Sequence, residues 1–147
     1  MFGDFLKRLT QPDPAPLPDS DARLALTALL VRIARSDHDY APRERELIDQ
    51  IAQQRYGLDP AAAQILRADA ETLESEAPDT VRFTRAIKDA VPYDDRLGVI
   101  EALWQVVLSD DTRTDEENAL LRLIASLLGV TDKDSALARQ RVDTRDH

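Results

Sequence analysis

The chain has 147 residues and carries 28 acidic against 19 basic side chains, which gives a formal net charge of −9. That length suits one domain with a single core, and the negative charge opposes binding to nucleic acid and to anionic lipid. The sequence contains no cysteine, which excludes disulfides, thiolate zinc sites and cysteine nucleophiles.

The N-terminal segment, residues 1–20, is predicted to be a short helix followed by a proline-rich linker. Phe2, Phe5, Leu6 and Leu9 recur at helical spacing, and QPDPAPLPDSD follows with four prolines. Two interpretations stay open for this helix: it docks on the domain or frays, or it binds a membrane surface or a partner. We expect the stiff linker to uncouple it from the core. No apolar run approaches the roughly 20 residues that span a bilayer, and no signal-peptide pattern is present, so we expect a cytoplasmic protein.

Residues 21–142 are predicted to form one all-helical domain, and residues 143–147 a disordered tail. Apolar residues recur at three- and four-residue spacing, without strand-like alternation. The first four helices begin near the cap candidates Asp19, Ser20 and Asp21, at Pro42, at Asp59 and Pro60, and at Pro78. Their apolar residues are Leu26, Leu29, Leu30 and Ile33; Leu47, Ile48, Ile51 and Ala52; Ile65, Leu66 and Leu73; and Val81, Phe83 and Ile87.

The second half of the domain repeats this plan after Pro92. A fifth helix carries Leu97, Ile100, Leu103, Trp104 and Val107. A sixth helix runs from Thr114 to Leu128 and ends at Gly129, as the second helix ends at Gly57, and Thr131 caps a last short helix that contains Leu137. We expect the core to include Leu30, Ile33, Ile51, Leu103, Trp104, Ile124 and Leu127.

The two halves match at a constant offset, which indicates a duplication. Ser36 and Asp37 correspond to Ser109 and Asp110, and the apolar positions around Ile51 and Ile124 correspond in the same way. A pair of repeats is too few for a solenoid. We therefore predict an all-α fold: a single compact bundle of six to seven helices made of two pseudo-repeated helical hairpins, whose helix pairs 22–57 and 95–129 superpose.

The candidate site consists of two acidic turns that join successive helices, SDHDYAPRERE at 36–46 and SDDTRTDEENA at 109–119. We call the acidic residues Asp37, Asp39 and Glu44 the first acidic turn, and Asp110, Asp111 and Glu117 the second acidic turn. The aspartates follow helix C-termini, where the helix dipole disfavours negative charge, whereas the glutamates stand near helix N-termini. Glu117 completes a capping box with Thr114, but Glu44 has Ala41 at the matching position.

Two interpretations of these turns stay open. The first is a solvated acidic surface on which the aspartates serve as turn formers. The second is a cation site. Calcium takes 6–8 oxygen ligands and magnesium keeps several waters, so one turn offers too few carboxylates, and a site must be shared between the turns or completed by carbonyls and water. Binding would be weak, calcium or magnesium would fit better than zinc, and His38 is either a transition-metal ligand or an exposed turn residue.

Enzymatic activity has little support in the sequence. There is no glycine-rich phosphate loop, and Ser36 and Ser109 have no second histidine in the domain to act as a base, since His147 lies in the tail. Solvated carboxylates in a turn do not have the contrasting environments that separate the pKa values of an acid and a base. We therefore expect no catalytic residues and no enzyme activity.

The segments that carry the duplication also resemble a known family. ARSDHDYAPRERELI and VLSDDTRTDEENALL, with RYGLDPAAA, RFTRAIKDAV and RLGVIEALWQVVLSD in order, look like the TerB-type domain of tellurite-resistance proteins, a fold shared with the N-terminal domain of the DjlA co-chaperones. The resemblance covers roughly residues 22–142. In this sequence His38 and Asp111 take the place of the glycine that is typical of the family's turns. Both residue types tolerate a left-handed backbone.

The resemblance implies a helical bundle with an acidic surface, proposed in the family to bind divalent cations, within a membrane-linked stress-response system. We therefore expect a module that acts with protein partners, in a complex associated with a membrane, and that has no transmembrane segment of its own. A protein-interaction domain that recognises a basic partner without metal is the alternative. The third class of function that we consider is a hydrolase of unfamiliar type, which the sequence favours least.

Overall fold

The protein is built from α-helices throughout the residues that the computed structural model describes, which are 2–11, 17–36, 40–108 and 115–145, with side chains described only for 118–142 in the last range. The helices are α1 (Gly3–Leu9), α2 (Asp19–Ala34), α3 (Pro42–Tyr56), α4 (Pro60–Glu76), α5 (Thr80–Ala90), α6 (Tyr93–Leu108), α7 (Asp115–Leu127) and α8 (Asp132–Arg145). No strand occurs within these ranges, which agrees with the all-α prediction.

The helix count of six to seven is too low because α1 belongs to the bundle. Phe5 and Leu9 are only 7% and 1% exposed, and α1 packs against α5. The Phe2 backbone nitrogen donates to Glu76 Oε2 at 3.1 Å, and the nitrogen of Leu17, after the linker, donates to the Ala90 carbonyl at 3.1 Å. The first helix is therefore docked rather than uncoupled, because its apolar side chains are more stable when they are removed from water.

Several helix ends follow from the predicted caps. The Asp59 carboxylate accepts from the Ala62 nitrogen at 2.8 Å, and the Thr131 hydroxyl accepts from the Asp134 nitrogen at 3.1 Å. Gly57 and Gly129 have φ values of 64° and 73°, the left-handed conformation that closes a helix at low cost in glycine. At the start of α2 the N-cap residue is Pro18, so the predicted cap candidates Asp19, Ser20 and Asp21 lie inside the helix.

Helices α2 and α6 each pack on the helices that follow them in the chain. Helix α2 contacts α3 and α4, and α6 contacts α7 and α8; α2 and α6 also pack on each other. The pair of repeated hairpins and the superposition of the two halves stay predictions.

The predicted core is buried with one exception, Leu127, and two further apolar residues of the predicted helices are exposed. Leu30, Ile33, Ile51, Leu103, Trp104 and Ile124 are buried, and the Trp104 indole nitrogen donates to the Ser135 hydroxyl at 3.1 Å. Leu127 is only partly buried, and its neighbour Leu128 fills the core instead. Ile65 and Leu137, which we placed on apolar stripes, are 64% and 41% exposed.

The last helix is longer than the sequence indicates. Helix α8 continues past position 142 to Arg145, into the segment expected to be a disordered tail, and residues 146 and 147 lie outside the described residues. None of the described helices is both long enough and apolar enough to cross a membrane.

Replacing Leu9 by alanine should test the docking of α1. The side chain is almost fully buried, so the change should lower the free energy of unfolding by about 2–4 kcal/mol through lost burial and a cavity. Lys7→Ala, on the exposed face of the same helix, should change it by less than about 0.5 kcal/mol. Urea denaturation of both variants measures the difference, and equal stabilities would show that α1 is detached in solution.

Candidate functional site

The two acidic turns connect the helices as predicted. The first joins the end of α2 at Ala34 to the start of α3 at Pro42, and the second joins the end of α6 at Leu108 to the start of α7 at Asp115. Of the predicted ligands, Asp37, Asp39, Asp110 and Asp111 lie outside the described residues, and the side chain of Glu117 lies outside them as well. A cation site on these residues therefore stays a prediction.

Glu44 is the one predicted ligand whose side chain the structure describes. It stands in the first turn of α3 and is partly buried. Ala41 is the N-cap residue of α3 and provides no side-chain cap, as the sequence predicted, so Glu44 is not half of a capping box. Across the described ranges, no three histidine or carboxylate side chains come together as a metal-binding group.

Tyr40 lies at the C-terminal end of the first acidic turn and is flanked by Arg35 and Arg45. We call these three residues the Tyr40 clamp. The guanidinium carbons of Arg35 and Arg45 lie 5.2 Å and 5.0 Å from the centroid of the Tyr40 ring. Each contact is a cation–π interaction. Burial, and then the neighbouring Glu71 carboxylate, raise the pKa of the Tyr40 hydroxyl well above its usual range. The clamp therefore joins the end of α2 to the start of α3 across the turn.

At the N-terminal end of the first acidic turn, the last residues of α2 bond to α4. Glu74 accepts from Arg35 Nη1 at 2.8 Å and from Arg32 Nε at 3.1 Å, with its carboxylate only 11% exposed. Arg32 also donates from Nη1 to the Pro78 carbonyl at 2.9 Å. These charge-assisted bonds fix the end of α2 in a set direction. The arginines beside the turn thus already have a carboxylate partner in Glu74.

A second concave surface, which we call the α2–α3–α6 cleft, lies beside the early turns of α2 and the last turns of α3. Its volume is about 340 Å³. The floor consists of buried aliphatic side chains, and the rim carries three exposed aspartates on α2 and α6. The floor residues are Leu26, Leu30, Ile51, Val99 and Ala102, and the rim residues are Asp19, Asp94 and Asp95.

The basic residues of the cleft have partners inside the protein. The Arg23 guanidinium lies 5.1 Å from the Tyr56 ring centroid. Arg55 Nη2 pairs with Glu101 Oε2 at 3.2 Å, and Arg141 Nε pairs with Oε1 of the same carboxylate at 2.6 Å. Burial alone would raise the pKa of Glu101, but the hydrogen bonds from Arg141 and Arg55 outweigh it and lower that pKa. The charge left at the rim is therefore negative.

Sequence reasoning missed both the Tyr40 clamp and the cleft. An aromatic residue between two arginines at the edge of the first turn is a visible signal for the clamp. The cleft has no such signal, because its walls come from three helices that are separated along the chain.

Comparison with known proteins shows the family to which the chain belongs. The geometry defines the class of protein, an all-helical domain in which α2 and α6 each lead into an acidic turn. The family model described as "Tellurite resistance protein TerB" matches residues 23–140, most of the chain, so the chain belongs to the TerB family. Searches of curated proteins and of solved structures found no match. The family match confirms the resemblance seen in the sequence.

The tyrosines give a prediction for alkaline pH. The pKa values of Tyr40 and Tyr56 are raised mainly by burial, and that of Tyr93 mainly by its hydrogen bond to Asp134. Near pH 10.0, the ordinary pKa of a tyrosine hydroxyl in water, the unfolded chain should therefore show much more tyrosinate absorbance than the folded protein. Because the pKa values of these tyrosines are higher in the folded protein than in the unfolded chain, the protonated hydroxyls contribute their full stability below about pH 10. That stability is lost as pH rises through the folded pKa values. Equal absorbance titrations with and without urea would contradict this.

Proposed function

We propose that the protein is a non-enzymatic TerB-type stress-response module that binds a divalent cation at its two acidic turns and acts in a protein complex. The observation that carries the proposal is the family match over residues 23–140, which spans both turns. The ligands would be Asp37, Asp39 and Glu44 from the first turn, and Asp110, Asp111 and Glu117 from the second. The complex would be cytoplasmic and associated with a membrane.

The positions of the helix ends support this assignment. Asp37 and Asp39 follow the C-terminus of α2, and Asp110 and Asp111 follow that of α6. A carboxylate there is disfavoured by roughly 0.3–1 kcal/mol, so the helix dipole gives no reason for four of them. A bound cation would repay this cost by neutralising them.

The chemistry of the carboxylates limits which cation fits. Hard cations with oxygen ligands, calcium or magnesium, suit a site of aspartate and glutamate better than zinc, which prefers nitrogen and sulfur. Three carboxylates from one turn leave coordination positions for backbone carbonyls or water. We therefore propose weak, partly hydrated binding that would respond to changes in cation concentration.

The alternative function is metal-independent recognition of a basic partner. The net charge of −9 favours it, because long-range attraction raises the rate of association with a positively charged protein. In this case the aspartates would form a docking face.

Calorimetric melting with added cation separates the two functions. At about 100 times its dissociation constant, a bound cation stabilises by roughly 2.7 kcal/mol, which raises the melting temperature by several degrees. The double variant Asp37→Asn/Asp39→Asn should lose this response and should be more stable without cation by a few tenths to about 1 kcal/mol, because like-charge repulsion is relieved.

Two controls make the experiment decisive. Asp69→Asn/Asp132→Asn makes the same change in charge at exposed positions far along the chain from both turns and should keep the full response. Sodium chloride at matched ionic strength measures screening alone. If calcium, magnesium, manganese and zinc all raise the melting temperature no more than sodium does, the cation function is wrong and the docking alternative stands.

A further inference from the structure

We propose that the α2–α3–α6 cleft is a docking site for a basic amphipathic segment of a partner protein. One apolar side chain of that segment would enter the floor of the cleft, and lysine or arginine residues on either side of it would meet the rim aspartates. The inference goes beyond the proposed function, because the cleft uses neither acidic turn.

The floor of the cleft has the chemistry of an anchor pocket. Leu26, Leu30 and Ile51 are 4%, 3% and 2% exposed, and Val99 and Ala102 complete the surface from α6. Its volume of about 340 Å³ lies at the lower end of the range of pockets that hold ligands. Interfaces commonly place one apolar or aromatic side chain in such a pocket and surround it with polar contacts.

The rim supplies the charge that selects the partner. Asp19 stands in the first turn of α2, and Asp94 and Asp95 stand in the first turn of α6. All three are exposed, and within the described part of the chain none of them forms an ion pair or a side-chain hydrogen bond. Two helices thus present carboxylates without an ion-pair partner at the rim of an aliphatic floor.

The arginines of the cleft cancel only part of this negative charge. Arg55 is paired with Glu101, whereas Arg23 lies over the Tyr56 ring and keeps its positive charge, a single cation against three rim aspartates. An anionic occupant would be repelled by the three rim carboxylates, and a purely apolar occupant would leave them without a positively charged partner. Charge complementarity therefore favours a segment that is apolar at one residue and basic on both sides of it.

A substitution at Gly98 can fill the cleft without removing or adding a charged residue. It lies in α6 and lines the cleft, and a Cβ atom added there would meet Arg55 Nη1 at 3.5 Å, an ordinary contact. Gly98→Ala should therefore fold and leave most of the cleft open. Gly98→Leu adds a branched side chain that fills the space where the anchor would enter, and leucine is a good helix former.

The experiment uses the full chain with excess chelator, so that cation binding plays no part. The probe is a short capped peptide with one leucine between lysines, titrated while amide chemical shifts are recorded by NMR. We expect saturable shifts centred on Gly98 and Ala102. Two matched peptides, one with serine replacing the leucine and one with glutamates replacing the lysines, should bind at least about ten-fold more weakly.

The protein variants assign the binding to the cleft. Asp94→Asn/Asp95→Asn should weaken the lysine peptide about three- to ten-fold at low salt, and Gly98→Leu should weaken it more than about ten-fold. Gly98→Ala and the charge control Asp69→Asn/Asp132→Asn should bind like the parent. Asp37→Asn/Asp39→Asn should also keep binding, which separates this site from the acidic turns. Amide spectra of each variant report that it is folded.

Three results would overturn the proposal. Equal weakening by the cleft variant Asp94→Asn/Asp95→Asn and by the control Asp69→Asn/Asp132→Asn would mean that the peptide responds only to net charge. Equal binding of the serine and leucine peptides would mean that the floor takes no anchor. Loss of binding in Asp37→Asn/Asp39→Asn, with the cleft variants unaffected, would move the docking face to the first acidic turn and leave the cleft without a role.

Discussion

The burial of α2 on all of its faces is the constraint on which the rest of the structure depends. Every residue from Ala25 to Val31 is buried, a run of about two helical turns, so every face of this stretch is largely covered by neighbouring residues. A helix of this kind is stable only when neighbours surround it, and α3, α4, α5, α6 and α7 all contact α2. Ala25 and Ala28 are fully buried, and their small side chains let the surrounding helices approach closely.

This central position of α2 also sets where the functional surfaces lie. The C-terminus of α2 leads into the first acidic turn, where Glu74 and the Tyr40 clamp hold the neighbouring arginines. The early turns of α2 form one wall of the α2–α3–α6 cleft. One rigid helix therefore positions a proposed cation site and a proposed docking site at different places along its length, which would let the two act independently.

Much of the fold could be predicted from the sequence, because capping and periodicity are local. The starts of α3 and α4 at Pro42 and Pro60, and the glycine-closed ends of α3 and α7, follow from residue type alone. The sequence predicted a single apolar stripe for α2, since periodicity cannot show that five other helices cover it. Three other features also depend on residues that are far apart in the sequence. They are the exposure of Ile65, the docking of α1 and the presence of the cleft. The acidic turns could be recognised from the sequence because their charge and their matching residues are visible in the chain.

Native-state hydrogen exchange of the α2 amides tests the central role of this helix most directly. If α2 is the element on which the bundle depends, the amides of Leu29, Leu30 and Val31 can exchange only when the whole domain unfolds. Their opening free energy should then equal the free energy of unfolding measured with denaturant. Exchange of these amides through a smaller opening, while amides of the outer helices stay protected, would contradict the account.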